Sequence, residues 1–155
     1  MLDSSAFYYG FHLSNSKKYY VTNLIMDEVR HLLYSSSYDT LIVLGLLVIM
    51  EPSIQSISLV KKTAYNSGDI NRLTKADISI ISLAYQLGYP LISDDYPVQN
   101  VSKILGIKNF CLGTAGISNI RKWTNYCKTC NQVYSPNISE CRLCGNKTRR
   151  RYKNQ

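Results

Sequence analysis

Blocks of apolar residues with different spacing follow one another along the chain, and they set an order of strands and helices. Val21 to Leu33 has helical spacing, with Leu24, Ile25, Glu28 and Leu32 at i, i+1, i+4 and i+8. The longest apolar run, Leu41–Met50, is far shorter than the ~20 residues a membrane helix needs and reads as buried core. Its end, Leu46–Met50, is expected to be a buried strand stopped by Glu51-Pro52. Ser53 to Tyr65 suits a helix that ends at Asn66-Ser67-Gly68-Asp69. Thr74 is placed to cap a further helix, with Asp77 at the capping-box position three residues on.

Leu91-Ile92-Ser93, after Gly88-Tyr89-Pro90, reads as a strand, Gln99 to Leu105 as a helix and Lys108–Leu112 as a last strand. Leu2-Asp3-Ser4-Ser5-Ala6-Phe7 reads as the end of a short strand running into a loop, with only Met1 and Leu2 before Asp3. Strands alternating with helices predict an α/β sandwich with a mainly parallel central sheet. Gly113-Thr114-Ala115-Gly116 is the expected linker, giving a body over residues 1–115 and a module over 116–155.

Charge sharpens that division. Met1 to Ala115 holds nine Lys/Arg and nine Asp/Glu, whereas Gly116 to Gln155 holds nine Lys/Arg against Glu140 alone. The module therefore carries the whole net charge of +8. A basic module on a neutral body points to an anionic partner, nucleic acid before membrane, because no amphipathic apolar face accompanies the charge. A solvated, solubilising tail is the plainer alternative. No basic n-region or apolar h-region opens the chain, so the expectation is a soluble, cytoplasmic protein.

Four of the five cysteines fall as Cys127-x2-Cys130, ten residues, then Cys141-x2-Cys144. Each pair can sit on a tight turn that aims two thiolates at one tetrahedral ion, which predicts a structural zinc site with no open coordination position. Two disulfides are the competing reading, and the lack of a secretion signal argues against them. A module this small builds little core, so the metal must supply most of its folding free energy. Cys111 stands apart within Ile107–Leu112 and is expected to be a buried hydrophobe.

The chemistry must then lie in the carboxylates, several of which sit where packing alone would place something apolar. Asp3 ends the first strand, Glu28 lies on the Leu24–Leu32 stripe, Asp77 shares a face with Ile80, Ile81 and Ala84, and Asp94-Asp95 close the Leu91–Ser93 strand. Ligands of open α/β sheets bind beyond the carboxyl ends of the strands, where Asp3 and Asp94 or Asp95 would be delivered. Clustered carboxylates resist ionising together unless a cation compensates, which suggests Mg²⁺ or Mn²⁺. Singly each has a plainer role: Asp77 as a cap, Glu28 as a partner of Arg30 or His31, Asp94-Asp95 as a turn.

These motifs together resemble a known family. Leu2–Phe7 resembles the opening of PIN-domain nucleases, Leu73-Thr74-Lys75-Ala76-Asp77-Ile78 with Leu83-Ala84 resembles their third-acid helix, and Leu91–Tyr96 resembles their fourth-acid strand end. Glu51-Pro52-Ser53, Gly68–Leu73, Asp94–Val101 and the cysteine module are similar to the Nob-type endonucleases that mature the 3′ end of small-subunit ribosomal RNA. The resemblance implies a PIN-like sandwich with a C-terminal zinc ribbon and a metal-dependent endoribonuclease.

It further implies that Asp3, Glu28, Asp77 and either Asp94 or Asp95 bind Mg²⁺ or Mn²⁺ and catalyse hydrolysis. Cys127, Cys130, Cys141 and Cys144 would hold zinc. Arg121, Lys122, Trp123, Arg149, Arg150 and Arg151 would grip RNA, with Tyr126 or Tyr134 available to stack on bases or to pack round the knuckle. Ser4 or Ser5 could orient a phosphate or water. The implied partners are precursor small-subunit rRNA, the pre-ribosomal small subunit and its assembly factors. A VapC-type toxin ribonuclease and a non-catalytic RNA-binding scaffold are the rival readings.

Overall fold

The computed structural model describes residues 1–9, 17–30 and 35–154. Its central sheet is made of very short strands. β1 (Tyr19–Val21) pairs in parallel with β2 (Leu47–Ile49), Tyr19 opposite Leu47. β3 (Leu91–Ile92) pairs in parallel with β4 (Asn109–Phe110). The first three residues join the two pairs. The Leu2 amide donates to Tyr20 O at 3.1 Å, Leu2 bridges Ile92 in parallel, and the Asp3 amide donates to Ile92 O at 3.1 Å. The spatial order is β2-β1-Leu2-β3-β4, so the chain starts in the middle of the sheet and Asp3 leaves it at the carboxyl edge.

Among the described residues six helices surround this sheet: α1 (Ser4–Tyr8), α2 (Asn23–Arg30), α3 (Ser35–Val43), α4 (Ile54–Ser67), α5 (Lys75–Leu87) and α6 (Tyr96–Ile104). Every residue of α5 from Ala76 to Ala84 is buried, including Ile78, Ile80, Ile81 and Leu83, because α2, α4 and α6 cover it. Val60 and Ala64 of α4 and Ile25, Met26 and Val29 of α2 complete the core. A hydroxyl pair, Thr22 Oγ1 and Ser79 Oγ at 2.7 Å, satisfies two polar groups inside it.

Cap chemistry sets the helix ends as the sequence predicts. The Ser53 hydroxyl accepts from the Ser56 amide, and α4 ends on Gly68 at φ +80°, a left-handed position that glycine reaches without a Cβ clash. Thr74 and Asp77 form the reciprocal capping box of α5. α6 starts three residues before the expected Gln99, at Tyr96, because Pro97 suits a first helical turn.

Other expectations are corrected. Val21 belongs to β1 and the helix begins at Asn23; Leu32 and Leu33 lie outside the described residues. The buried stripe of α2 is Ile25, Met26 and Val29, while Leu24 and Glu28 are exposed, since the helical phase is offset from the one read from Leu24 and Leu32. The segment after Asp3 is helix α1, not a loop. The run Leu41–Met50 is not one buried unit: Val43 is 86% and Leu44 64% exposed at the turn between α3 and β2. Cys111 is half-buried, with its thiol beside the Asn109 amide.

After residue 116 the chain forms a separate antiparallel sheet in the order β6-β5-β7, from β5 (Arg121–Tyr126), β6 (Val133–Tyr134) and β7 (Arg149–Asn154). This ribbon packs on the end of α4. The Gly68 Cα lies so close to Pro136 and Trp123 that an added Cβ would come within 2.6 Å of Pro136 Cγ and 2.8 Å of Trp123 Cβ.

Candidate metal centre

Asp3 is positioned by both its strand and its helix. As N-cap of α1, its Oδ1 accepts the Ser4 amide at 2.8 Å, while Oδ2 accepts Ser93 Oγ at 2.5 Å and Ser5 Oγ at 3.2 Å. The residue is 1% exposed. Burial pushes its carboxyl up, the Ser93 hydrogen bond opposes this and the nearby charge of Asp77 adds to it. Ser5 also accepts the Asp94 amide at 3.1 Å, so its hydroxyl is committed to the frame.

Asp77 is the capping-box residue of α5 and a neighbour of the other acids. Its Oδ2 accepts the Thr74 amide at 2.7 Å, which fixes the carboxyl at the start of α5, and its charge acts on Asp3, Glu28 and Asp95. Glu28 is exposed on α2, yet it too faces this group: burial raises its carboxyl most, then Asp77 and Asp3, with the nearby Ser4 side chain acting against them.

The two adjacent aspartates at the end of β3 part company. Asp94 is turned to the loop after β4. Its oxygens accept the amides of Leu112 and Gly113 at 3.1 Å and of Thr114 at 2.9 Å, plus the Thr114 hydroxyl at 2.9 Å. Slight burial raises this carboxyl, but those donors outweigh it and hold the group below its ordinary range. Asp95 caps nothing with its side chain. Burial, then Asp77, Asp3 and Asp69 in that order, push it up to about 6.

Asp3, Glu28, Asp77 and Asp95 thus form one electrostatic group at the carboxyl edge of the sheet. Among the described residues no Lys or Arg is ion-paired to any of the four. An all-oxygen, uncompensated set has the chemistry that a hard divalent cation takes, although no three of these acids bring their oxygens within 4.8 Å of one another.

The four cysteines form a second centre. Their sulfurs all lie within 4.8 Å of one another, the one such group of His, Cys, Asp or Glu among the described residues. Cys130 is pushed up to about 12 because Cys144 and the other thiols crowd it, and Cys141 is brought down to about 6 chiefly by the Tyr134 hydroxyl, 3.1 Å away. Four thiols at this spacing ionise together only around a cation, and the set fits a zinc ribbon. Tyr134 accordingly packs on the knuckle.

The basic residues of the ribbon divide between its two faces. Lys122, Arg149 and Arg151 are exposed on one, with Arg151 5.0 Å from the Tyr126 ring. Arg121, Trp123 and Arg150 lie on the other, toward the body. Arg150 and Trp123, both expected to contact RNA, are here engaged with the body and with each other. Arg150 Nη2 donates to Gly68 O at 2.7 Å and to Asp69 Oδ1 at 2.9 Å, and its guanidinium stacks 3.8 Å from the centre of the Trp123 ring.

Sequence reasoning missed Asp69 as a site residue. It is 1% exposed and also accepts Ser67 Oγ at 2.8 Å and Asn100 Nδ2 at 2.6 Å. Asn100 in turn donates to Arg121 O and accepts the Arg121 amide, both at 2.8 Å. One signal was available: an acid directly after a helix-ending glycine.

Residues 1–87 match the family model described as PIN domain of ribonuclease. The chain is 35% identical over 147 residues to endoribonuclease Nob1 of Pyrococcus abyssi, spanning 94% of this chain and 88% of that protein. It is 33% identical over 161 residues to endoribonuclease Nob1 of Methanothermobacter thermautotrophicus, spanning 99% and 94%. Ribonuclease VapC1 of Thermoplasma acidophilum is 29% identical over 114 residues, 72% of this chain and 57% of that protein. The chain belongs to the PIN-domain ribonucleases and, within them, to the Nob1 endoribonucleases.

Proposed function

We propose that the protein hydrolyses a phosphodiester bond in precursor small-subunit ribosomal RNA, the 3′-end maturation step, while associated with the pre-ribosomal small subunit. The observation that carries this reading is the group of four carboxylates at the carboxyl edge of the sheet, in which Asp77 and Asp3 act on both Glu28 and Asp95, in a chain with Nob1 relatives along nearly its whole length. The basic ribbon favours it over a toxin ribonuclease.

Asp3, Glu28, Asp77 and Asp95 would hold Mg²⁺ or Mn²⁺. Such an ion lowers the pKa of water and neutralises charge on a phosphodiester. The chain's own groups fix the donor set: Ser93 and the Ser4 amide orient Asp3, and the Thr74 amide orients Asp77. Asp94 has a structural role, keeping the strand end and the 112–114 loop together. We take 1–115 as the nuclease domain and 116–155 as a ribbon around one structural zinc ion. On the ribbon, Lys122, Arg149 and Arg151 would contact phosphates, which gives affinity with little sequence information.

In the test, protein with Mn²⁺ is mixed with an RNA spanning the small-subunit rRNA 3′ end. The wild type cuts, and Asp77→Asn abolishes cutting while leaving RNA binding intact. Equal cutting by the two proteins sinks the catalytic assignment.

A further inference from the structure

A cavity of about 250 Å³ opens where the start of α6, the 3₁₀ turn Ile70–Arg72 and the ribbon meet. Its lining includes Arg72, Arg121 and Arg150 but only one carboxylate, Asp69, so three cationic groups minus one anionic group leave a formal +2. Asp69 is already saturated by Ser67, Asn100 and Arg150. Arg150 is equally committed, to Asp69, Gly68 O and the Trp123 ring.

Arg72 and Arg121 are different. Neither is ion-paired to a carboxylate among the described residues. Arg72 is exposed and close enough to Arg150 to act on it as a like charge, and Arg121 lies 4.8 Å from the Tyr152 ring. Two unmatched guanidiniums that border one cavity beside a third are held there at a Coulombic cost, which an anion in the cavity would relieve. A phosphate suits their planar, multi-donor geometry.

The cavity also adjoins the acid group. Tyr96, on its wall, directly follows Asp95, about 3.8 Å along the backbone, and Asp69 acts electrostatically on Asp95. Tyr96 is 48% exposed, so its ring is available to a stacking base. We propose that this cleft, walled by Arg72, Arg121 and Tyr96, is a subsite for the nucleotide of single-stranded RNA next to the bond cut. The two arginines hold its phosphate and Tyr96 stacks on its base. The subsite rests on the nuclease reading above, and it makes the body and the ribbon jointly responsible for substrate binding.

The test uses zinc-loaded Asp77→Asn protein without added Mg²⁺ or Mn²⁺ and a fluorescein-labelled single-stranded RNA of about 12 nucleotides, read by anisotropy across a KCl series. Arg72→Ala and Arg121→Ala should each weaken binding roughly five- to tenfold. Removing both together should also reduce the slope of log affinity against log salt by about 0.7, the share of one phosphate on a single strand. Tyr96→Ala should weaken binding at least about fivefold with the slope unchanged, and Tyr96→Phe should restore it. Lys61→Ala removes the same charge from an exposed position of α4 outside the cleft and should change affinity less than about twofold.

Arg72→Ala, Arg121→Ala and Lys61→Ala giving the same small loss would overturn the subsite, because general charge would then explain binding. Wild-type cutting with Arg72 and Tyr96 variants that bind normally also overturns it and leaves the nuclease reading standing. Binding lost in the cleft variants, with a wild type that never cuts, supports an RNA site and ends the nuclease reading instead.

Discussion

At the scale of single residues, Asp94 and Asp95 show how one peptide step separates structure from chemistry. Asp94 commits its charge to three amides and a hydroxyl, so Asp94→Asn should lower stability by about 1–3 kcal/mol, measured by urea unfolding, because those amides lose a charged acceptor. Asp95 behaves in the opposite sense. Its carboxyl is raised from 3.8 to about 6 in the folded protein, so between those values the folded state keeps a proton that the unfolded chain has released. This group's favourable contribution to folding is therefore present below about pH 4 and is lost as pH rises through 6. In metal-free protein, Asp95→Asn should raise the melting temperature at pH 7 by roughly 2–4 °C and leave it unchanged near pH 4. The same variant should lose Mn²⁺ binding by calorimetry, whereas Asp94→Asn should keep it.

At the scale of elements, α5 and the ribbon hold the site in different ways. The helix is buried along most of its length, and its capping box presents Asp77 at a fixed angle, so the cap and the candidate metal ligand are one side chain. The ribbon reaches the body through Arg150 on Asp69. Removing one partner leaves a buried carboxylate uncompensated, and Arg150→Ala should destabilise the protein by about 3 kcal/mol; adding Asp69→Asn should recover part of that loss in a double-mutant cycle. On the proposal that the four thiols hold one structural zinc, its removal should release the same ion pair, because a module this small builds little core of its own. The readout is Trp123, the protein's single tryptophan, whose fluorescence should shift to the red as its ring leaves the Arg150 stack.

At the scale of the whole molecule, a neutral body carries a basic ribbon, and the interface between them buries some of that charge. Arg150 is matched by Asp69, so fewer ribbon cations remain for RNA than the sequence count suggests. Replacing Arg149 and Arg151 together with Ala should lower the salt dependence of RNA affinity by about 1.4, roughly 0.7 for each phosphate that is no longer neutralised.

What the sequence determined by itself is what local rules govern. The Cys-x2-Cys spacing sets a closed thiolate site, Thr74 with Asp77 sets a helix start, and Gly68 sets a helix end, because each depends on residues within a turn of one another. The quartet was legible as acids at element ends and as a family resemblance, though the helical phase that aims Glu28 was misread. The tertiary structure alone decided the rest. Strands of two or three residues such as β1 are too short to show an alternation, and they exist because neighbouring strands complete their hydrogen bonds. Which of Asp94 and Asp95 faces Asp3 depends on a loop about twenty residues away offering its amides. Whether Arg150 meets solvent or Asp69 depends on a contact across 81 residues of sequence, beyond the reach of any local pattern.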